Sequence, residues 1–172
     1  RGLTALGLPT MDPRLAAALA RAYNNWLYDT FLSKSPRIKG VGLIPIQDPQ
    51  AATEELRRVV TELGMVAAML PSNGEGVKAH LGAKIYWPIY EEAEKLNCSL
   101  SVHGGSHSGF GMDAFSVYYP CNALGHPFGI MVQAAGMISH GVFDRFPDLK
   151  VQFAHFSGGL GRYMSRARGF GT

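Results

Sequence analysis

Short apolar runs alternate with amphipathic stretches along the whole chain. Strand-like runs are predicted over residues 38–46, 65–70, 99–103 and 149–155. Apolar residues recur at helical spacing over residues 13–31, 49–64, 84–97, 127–138 and 160–168. Apolar strands that are separated by helices form a parallel sheet with helices packed on it. The sequence therefore predicts an α/β fold with about four parallel strands.

The composition indicates one globular unit. The chain has 172 residues, of which 47% are hydrophobic and 17% charged, so it can form a core and is too apolar for a disordered segment. We expect a single domain over residues 1–172. The formal net charge is +3, and the one local excess of basic residues, at Arg162, Arg166 and Arg168, is typical of a solvated helix face. Binding to nucleic acid is therefore not expected.

Two further features of the sequence bear on location. No apolar run approaches the roughly 18 residues that a membrane span needs, so no membrane association is expected. Cys98 and Cys121 are the only two cysteines, which is too few for a disulfide framework and does not match a CxxC metal site. A reducing, cytoplasmic location is therefore predicted.

Two histidines each end a strand-like run and lead into glycine. His103 precedes Gly104, and His155 ends the run over 149–155. Ligands of parallel sheets bind at the carboxyl ends of the strands, and neighbouring strands lie about 4.8 Å apart. We therefore expect both rings to reach one bound species. The alternative, that each is only a hydrogen-bonded histidine at a strand end, remains open on pattern alone.

Other polar and aromatic residues are weaker candidates. His126 precedes Pro127 at a predicted helix N-terminus, where it either contacts substrate or acts as a cap. The long connection over residues 104–125 predicts a lid or binding loop, in which His107 is expected to be solvated. Ser106 and Ser108 lack the GxSxG pattern of a nucleophile. Surface positions are expected for His80 and His140, and a packed lid for Phe115, Tyr118 and Tyr119.

Three stretches carry a resemblance to a known family. They are KGVGLIPIQDP at 39–49, YWPIYEEAEKL at 86–96 running into LSVHGG at 100–105, and GVFDRFPDLKV at 141–151 running into Ala154 and His155. They resemble the amidohydrolase-related family, which includes aminocarboxymuconate-semialdehyde decarboxylase and the resorcylate-type decarboxylases. The resemblance covers essentially the whole chain. It implies a partial TIM (β/α)8 barrel whose strands correspond to barrel strands 3 to 6.

The resemblance also implies a site. In the family a divalent metal is held by an HxH pair on the first strand, a histidine on the fifth and an aspartate on the eighth. His103 falls on the fifth-strand ligand, and His155 on the sixth-strand histidine that transfers a proton or supports the ligands. Zinc is the expected metal, with manganese as the alternative. The implied reaction is nonoxidative decarboxylation of a small aromatic or enol-like carboxylic acid; the alternative is metal-dependent hydrolysis of an amide, ester or lactone.

The sequence departs from the family pattern in its metal ligands. It contains no HxH, and no later strand with an aspartate follows His155. Zinc sites use three or four protein ligands, so His103 alone does not hold the metal. We expect the chain to be the central part of a longer barrel. The alternative is a catalytically inactive half-barrel that persists by association; in either case the resemblance implies a homo-oligomer, because family members commonly form dimers.

Overall fold

The computed structural model describes residues 11–72, 79–104, 111–163 and 166. Within these ranges four strands form one parallel sheet in the order β1 (Val41–Leu43), β2 (Ala67–Pro71), β3 (Ser99–His103) and β4 (Val151–Phe153). Strands that follow one another along the chain are also neighbours in the sheet. This order is that of a TIM barrel and differs from that of a doubly wound sheet, which reverses at a switch point. The predicted α/β fold, a partial barrel with four parallel strands, is confirmed.

Helices connect the strands. They are α1 (Pro13–Thr30), α2 (Pro49–Thr61), α3 (Trp87–Lys95), α4 (Tyr118–Ser139) and α5 (Val142–Arg145). Both α1 and α2 begin with aspartate and proline, because the carboxylate accepts hydrogen bonds from the first free N–H groups and proline needs no helical partner. Asp48, for example, accepts from the backbone N–H groups of Gln50 and Ala51 at 3.0 and 3.1 Å.

One face of the sheet packs against the helices. Ala68, Leu70, Leu100 and Val102 alternate along β2 and β3 and are buried in a core with Leu56, Ile89, Tyr90, Ile130 and Met137. Side chains of successive strand residues point to opposite faces. Ser99, Ser101 and His103, which are half-buried, therefore lie on the face turned away from this core. This is the face that lines the interior of a barrel.

A polar network joins α1 to the edge of the sheet. Asn24 is fully buried, and its side-chain amide donates to the carbonyl of Leu43 at 2.8 Å and accepts from the N–H of Leu43 at 2.9 Å. The amide also donates to Glu55, which forms an ion pair with Arg58 at 2.6 Å. Side chains thus satisfy backbone groups that would otherwise be open at a strand edge.

The largest apolar residues of α1 do not form the face that packs against the sheet. Their spacing predicted the helix correctly, but Leu15 and Trp26 are each 52% exposed. The helix instead packs through the small residues Ala16 and Ala20, which are fully buried beside Leu43. Small side chains let the helix backbone approach β1 closely enough for Asn24 to reach it.

Several predicted boundaries are wrong. The helix expected to open at Pro127 begins at Tyr118, with Pro127 inside it. A proline removes one helical hydrogen bond, a cost that the buried contacts of Ile130 and Met137 on the same helix offset. The strands predicted over 38–46 and 149–155 shorten to β1 and β4. Of the helix expected over 160–168, Leu160–Tyr163 forms a 3₁₀ turn and Arg166 is helical, whereas residues 164, 165, 167 and Arg168 lie outside the described residues.

Two findings bear on the environment of the chain. Among the described helices, none combines the length and apolar character that crossing a bilayer requires. Cys98 is buried, Cys121 is half-buried, and both are free thiols. Burial raises the pKa of the Cys98 thiol to about 11, so this group stays protonated at neutral pH.

Candidate active site

Three histidine rings lie together at the carboxyl end of the sheet. The ring centroids of His103 and His155 are 5.1 Å apart, and those of His126 and His155 are 5.2 Å apart. His103 and His126 are separated by 6.5 Å. The structure therefore brings His103 and His155 to one place and adds a third imidazole to them. The roles assigned to these rings from the sequence remain predictions.

His103 is the last residue of β3 and is half-buried. Its Nδ1 lies 2.7 Å from the carbonyl oxygen of Gly104. Because a carbonyl only accepts, Nδ1 must carry the ring proton, which leaves the lone pair of the neutral ring on Nε2. Histidines that bind metals commonly show this arrangement, with one nitrogen donating to a backbone carbonyl and the other facing the ion. The His103 ring fits the predicted ligand role.

His155 lies two residues beyond the end of β4, and not at the end of the strand as predicted. It belongs to a short turn, Ala154–Ser157, in which His155, Phe156 and Ser157 have φ values of 50°, 53° and 55°. Left-handed backbone costs an L-residue about 1–2 kcal/mol, so such a run is uncommon outside glycine. In this conformation the imidazole of His155 lies beside those of His103 and His126.

Gly158 fixes this turn against α4. A Cβ atom at Gly158 would lie 2.2 Å from the carbonyl oxygen of Pro127 and 2.4 Å from Cγ of Met131. The N–H of Gly158 also donates to the carbonyl of His155 at 3.0 Å. Only glycine allows this approach at a φ of 63°. The contact places the turn directly beside the helix that carries His126.

His126 lies within α4, one residue before Pro127. The reading of this histidine as an N-terminal cap is wrong, because the helix begins at Tyr118. Its Nδ1 donates to the carbonyl of Asn122 at 2.9 Å. A Cβ atom at Gly104 would lie 2.8 Å from both Cβ and Cδ2 of His126, so α4 packs closely on the end of β3. That contact sets the position of the third ring.

The surroundings of His155 favour its neutral form. The His155 side chain is exposed, but partial desolvation by the surrounding protein lowers the pKa of its imidazole, and the neighbouring rings of His103 and His126 lower it further because a positive charge on either opposes a second one. At neutral pH the ring is therefore uncharged. A neutral imidazole can accept a proton and return it.

A cleft of about 430 Å³ opens beside two of the histidines. Its walls are formed by Asn122, Ala123, His126, Pro127, His155 and Phe156. Sites for small molecules are typically clefts of this size with a few polar groups. Phe156 was missed in the sequence analysis. Its position between the candidate base and two glycines is the only signal that could have drawn attention to it.

The remaining candidates lie elsewhere. His80 and His140 are not part of the cluster, and their rings pack on each other with centroids 4.2 Å apart. Phe115, Tyr118 and Tyr119 are exposed, so a packed lid is not formed by these residues. The stretch 105–110, which includes Ser106, His107 and Ser108, lies outside the described residues.

The described ranges contain no group of three or more His, Cys, Asp or Glu side chains arranged to hold a metal ion. The role of His103 as a metal ligand stays a prediction. The three imidazoles lie close together without forming a complete binding site for a metal.

Comparisons with known proteins identify the family. The amidohydrolase family model matches residues 5–169. The 2-amino-3-carboxymuconate-6-semialdehyde decarboxylase of Dictyostelium discoideum is 33% identical over 146 residues, which are 85% of this chain and 40% of that protein. The gamma-resorcylate decarboxylase of Polaromonas sp. (strain JS666) is 28% identical over 157 residues, covering 87% of this chain and 48% of the relative.

Solved structures agree with this assignment. The 2,6-dihydroxybenzoate decarboxylase from Rhizobium superposes with a TM-score of 0.79 at 29% identity, covering 95% of this chain and 52% of that one. The dihydroxybenzoic acid decarboxylase from Polaromonas sp. JS666, with bound manganese and the inhibitor 2-nitroresorcinol, gives 0.78 at 28% identity, with coverage of 95% and 51%. The chain spans about half the length of these proteins. It belongs to the amidohydrolase family.

Proposed function

We propose that this chain carries part of the active site of a metal-dependent enzyme that decarboxylates a small aromatic or enol-like carboxylic acid without oxidation. The 5.1 Å contact between the rings of His103 and His155 is the observation that carries this proposal. One ring offers a lone pair on Nε2, and the other has a lowered pKa and can move a proton. Relatives named as decarboxylases of such acids support the choice of reaction.

His103 is proposed as a metal ligand through Nε2. A divalent ion at this position would polarise a substrate oxygen and stabilise negative charge that develops on it. Further ligands must come from groups other than the described cluster, since zinc requires at least three. We propose zinc as the metal because imidazole nitrogen is a ligand that suits zinc. The manganese bound to a relative supports manganese as the alternative metal.

His155 is proposed as the residue that holds and transfers the proton. The neutral imidazole first takes up a proton from solvent and then delivers this proton to the carbon that bears the carboxylate, where a pair of ring or enol electrons forms the new C–H bond. The bond to the carboxylate then breaks, its electrons restore the unsaturated system, and CO₂ leaves. No oxidant or reductant takes part. His126, 5.2 Å from His155 in the same cleft, is proposed to contact the substrate.

A decarboxylation assay in D₂O tests the proposal. The whole chain, supplied with Zn²⁺ or Mn²⁺ in separate samples, is mixed with 2,6-dihydroxybenzoate, and CO₂ and the product are measured. We expect deuterium on the carbon that lost the carboxylate. His155→Asn should lower the rate about 10²- to 10⁴-fold, as loss of a general acid or base does. His140→Asn, which replaces an exposed histidine outside the cluster, should leave the rate unchanged.

Three results would contradict the proposal. Full activity in His155→Asn would remove the proton-transfer role. Cleavage of an ester, amide or lactone without release of CO₂ would favour the hydrolase alternative. No activity and no stoichiometric metal in the purified chain would favour an inactive half-barrel that persists by association.

We also propose that the chain acts in the cytoplasm as a homo-oligomer, with a small carboxylate as its ligand and without a nucleic acid or membrane partner. The two free thiols support a reducing compartment. Analytical ultracentrifugation tests the oligomer: a mass of 18.6 kDa at micromolar concentration would contradict it.

A further inference from the structure

Phe156 exposes almost its entire side chain at the edge of the candidate active site. It is 98% exposed, more than any other large hydrophobic residue in the described part of the chain. Phe156 is one of the residues that line the cleft, together with His126 and His155. A fully exposed phenyl group beside a candidate base contributes nothing to the core, so its contribution must be sought in what enters the cleft.

The backbone fixes this exposure. Phe156 has a φ of 53° within the left-handed turn, and the N–H of Gly159 donates to its carbonyl at 3.0 Å. The close contact of Gly158 with Pro127 docks the turn on α4. The phenyl group therefore cannot reach the core without loss of that contact.

We propose that Phe156 is a specificity residue whose ring stacks on the aromatic ring of the substrate. The identity of the substrate as an aromatic acid rests on the proposed function. Phe156 follows His155 directly in sequence and both residues line the same cleft, so an aromatic ring bound in this cleft can meet both side chains. His126, which lines the same cleft, can meanwhile meet the carboxylate.

Ring stacking distinguishes aromatic from saturated acids of the same charge and similar size. Offset stacking of two aromatic rings stabilises binding beyond the free energy gained by burying their surface. This extra stabilisation corresponds to about a two- to tenfold change in affinity. Benzoate and cyclohexanecarboxylate are a matched pair of probes, because both are six-membered rings with one carboxylate. The ratio of the two affinities therefore isolates the contribution of the phenyl ring of Phe156.

The test is calorimetric or NMR titration of the whole chain with each acid. We expect the unmodified chain to bind benzoate about three- to tenfold more tightly than cyclohexanecarboxylate. Phe156→Leu, which stays apolar but loses the ring, should bring this ratio close to one, and Phe156→Tyr should retain it. Tyr119→Leu is the control, because Tyr119 is an exposed aromatic residue that does not line the cleft.

The outcomes separate this inference from the proposed function. A ratio unchanged in Phe156→Leu, or no preference for benzoate in the unmodified chain, would overturn the stacking role. A preference that depends on Phe156, in a chain that releases no CO₂ from 2,6-dihydroxybenzoate, would overturn the proposed reaction and leave the stacking role in place. Equal thermal midpoints for all four proteins would show that the variants differ in binding and not in folding.

Discussion

The side-chain amide of Asn24 forms hydrogen bonds to both the N–H and the C=O of Leu43, as a neighbouring strand would. The pairing is fully buried, so both backbone groups depend on this one side chain. It connects α1 to β1 through a residue that no hydrophobic pattern identifies.

Replacing Asn24 should therefore destabilise the fold strongly. Asn24→Ala leaves the N–H and C=O of Leu43 without partners, and each unsatisfied buried group costs about 1–3 kcal/mol. We expect the free energy of unfolding in urea to fall by at least about 2 kcal/mol. Thr30→Ala, at an exposed position of the same helix, should change it by less than about 1 kcal/mol. Equal effects of the two variants would contradict the role of Asn24.

Ser72→Ala should have the opposite effect. Ser72 is fully buried just after β2, and its hydroxyl has no hydrogen-bond partner within the described structure. A buried hydroxyl without a partner is unfavourable, and replacing it with a methyl group removes that cost. We expect a gain of about 1 kcal/mol in the free energy of unfolding. The exposed Ser33, whose hydroxyl donates to the carbonyl of Asp29, is the control, and a loss of stability in Ser72→Ala would contradict the prediction.

Gly158 and Gly159 provide a matched pair for the left-handed turn. Both have positive φ, at 63° and 84°, but a Cβ atom at Gly158 meets Pro127 while one at Gly159 meets nothing within 4 Å. Gly159→Ala should cost only the conformational penalty of about 1–2 kcal/mol. Gly158→Ala should cost more in chemical denaturation and should move the His155 ring resonances. Similar costs for both variants would indicate that the contact with α4 does not hold the turn.

The lowered pKa of His155 predicts a pH dependence of stability. The unfolded chain protonates this ring near pH 6.5, whereas the folded chain resists protonation until lower pH. In the window below 6.5 the unfolded state binds more protons, so the free energy of unfolding falls as the pH drops. Urea unfolding at pH 7.5 and pH 5 should show a smaller fall for His155→Asn than for the unmodified chain.

The neighbouring rings provide a second readout of the same effect. His126→Asn removes a ring that lowers the pKa of His155, so the midpoint of the His155 titration in NMR should move upward. An unchanged midpoint would show that the two rings do not interact. His140→Asn, outside the cluster, should leave the midpoint as it is.

Local patterns predicted much of this fold. The cap at Asp48 and the strand ending at His103 follow from residues close in sequence, and they lie where expected. The meeting of His103 and His155 follows from the parallel arrangement of the strands. These features need no knowledge of distant contacts, which is why the sequence alone can indicate them.

The features that the sequence did not predict depend on contacts between distant segments. Pro127 marked a false helix start, because tertiary packing continues α4 through it. Phe156 gave no sign of its exposure, because the left-handed turn that displays it depends on Gly158 docking against the helix. Periodicity describes one element at a time and carries no information on such docking.

The three imidazoles come from three separate elements: His103 from β3, His126 from α4 and His155 from the turn after β4. Their mutual proximity exists only when all three elements are assembled, so partial opening of any one disperses the cluster. The NMR signals of these ring protons therefore report whether the tertiary structure around the cluster is intact. Following them during denaturation would reveal whether the histidine cluster loosens before the sheet beneath it.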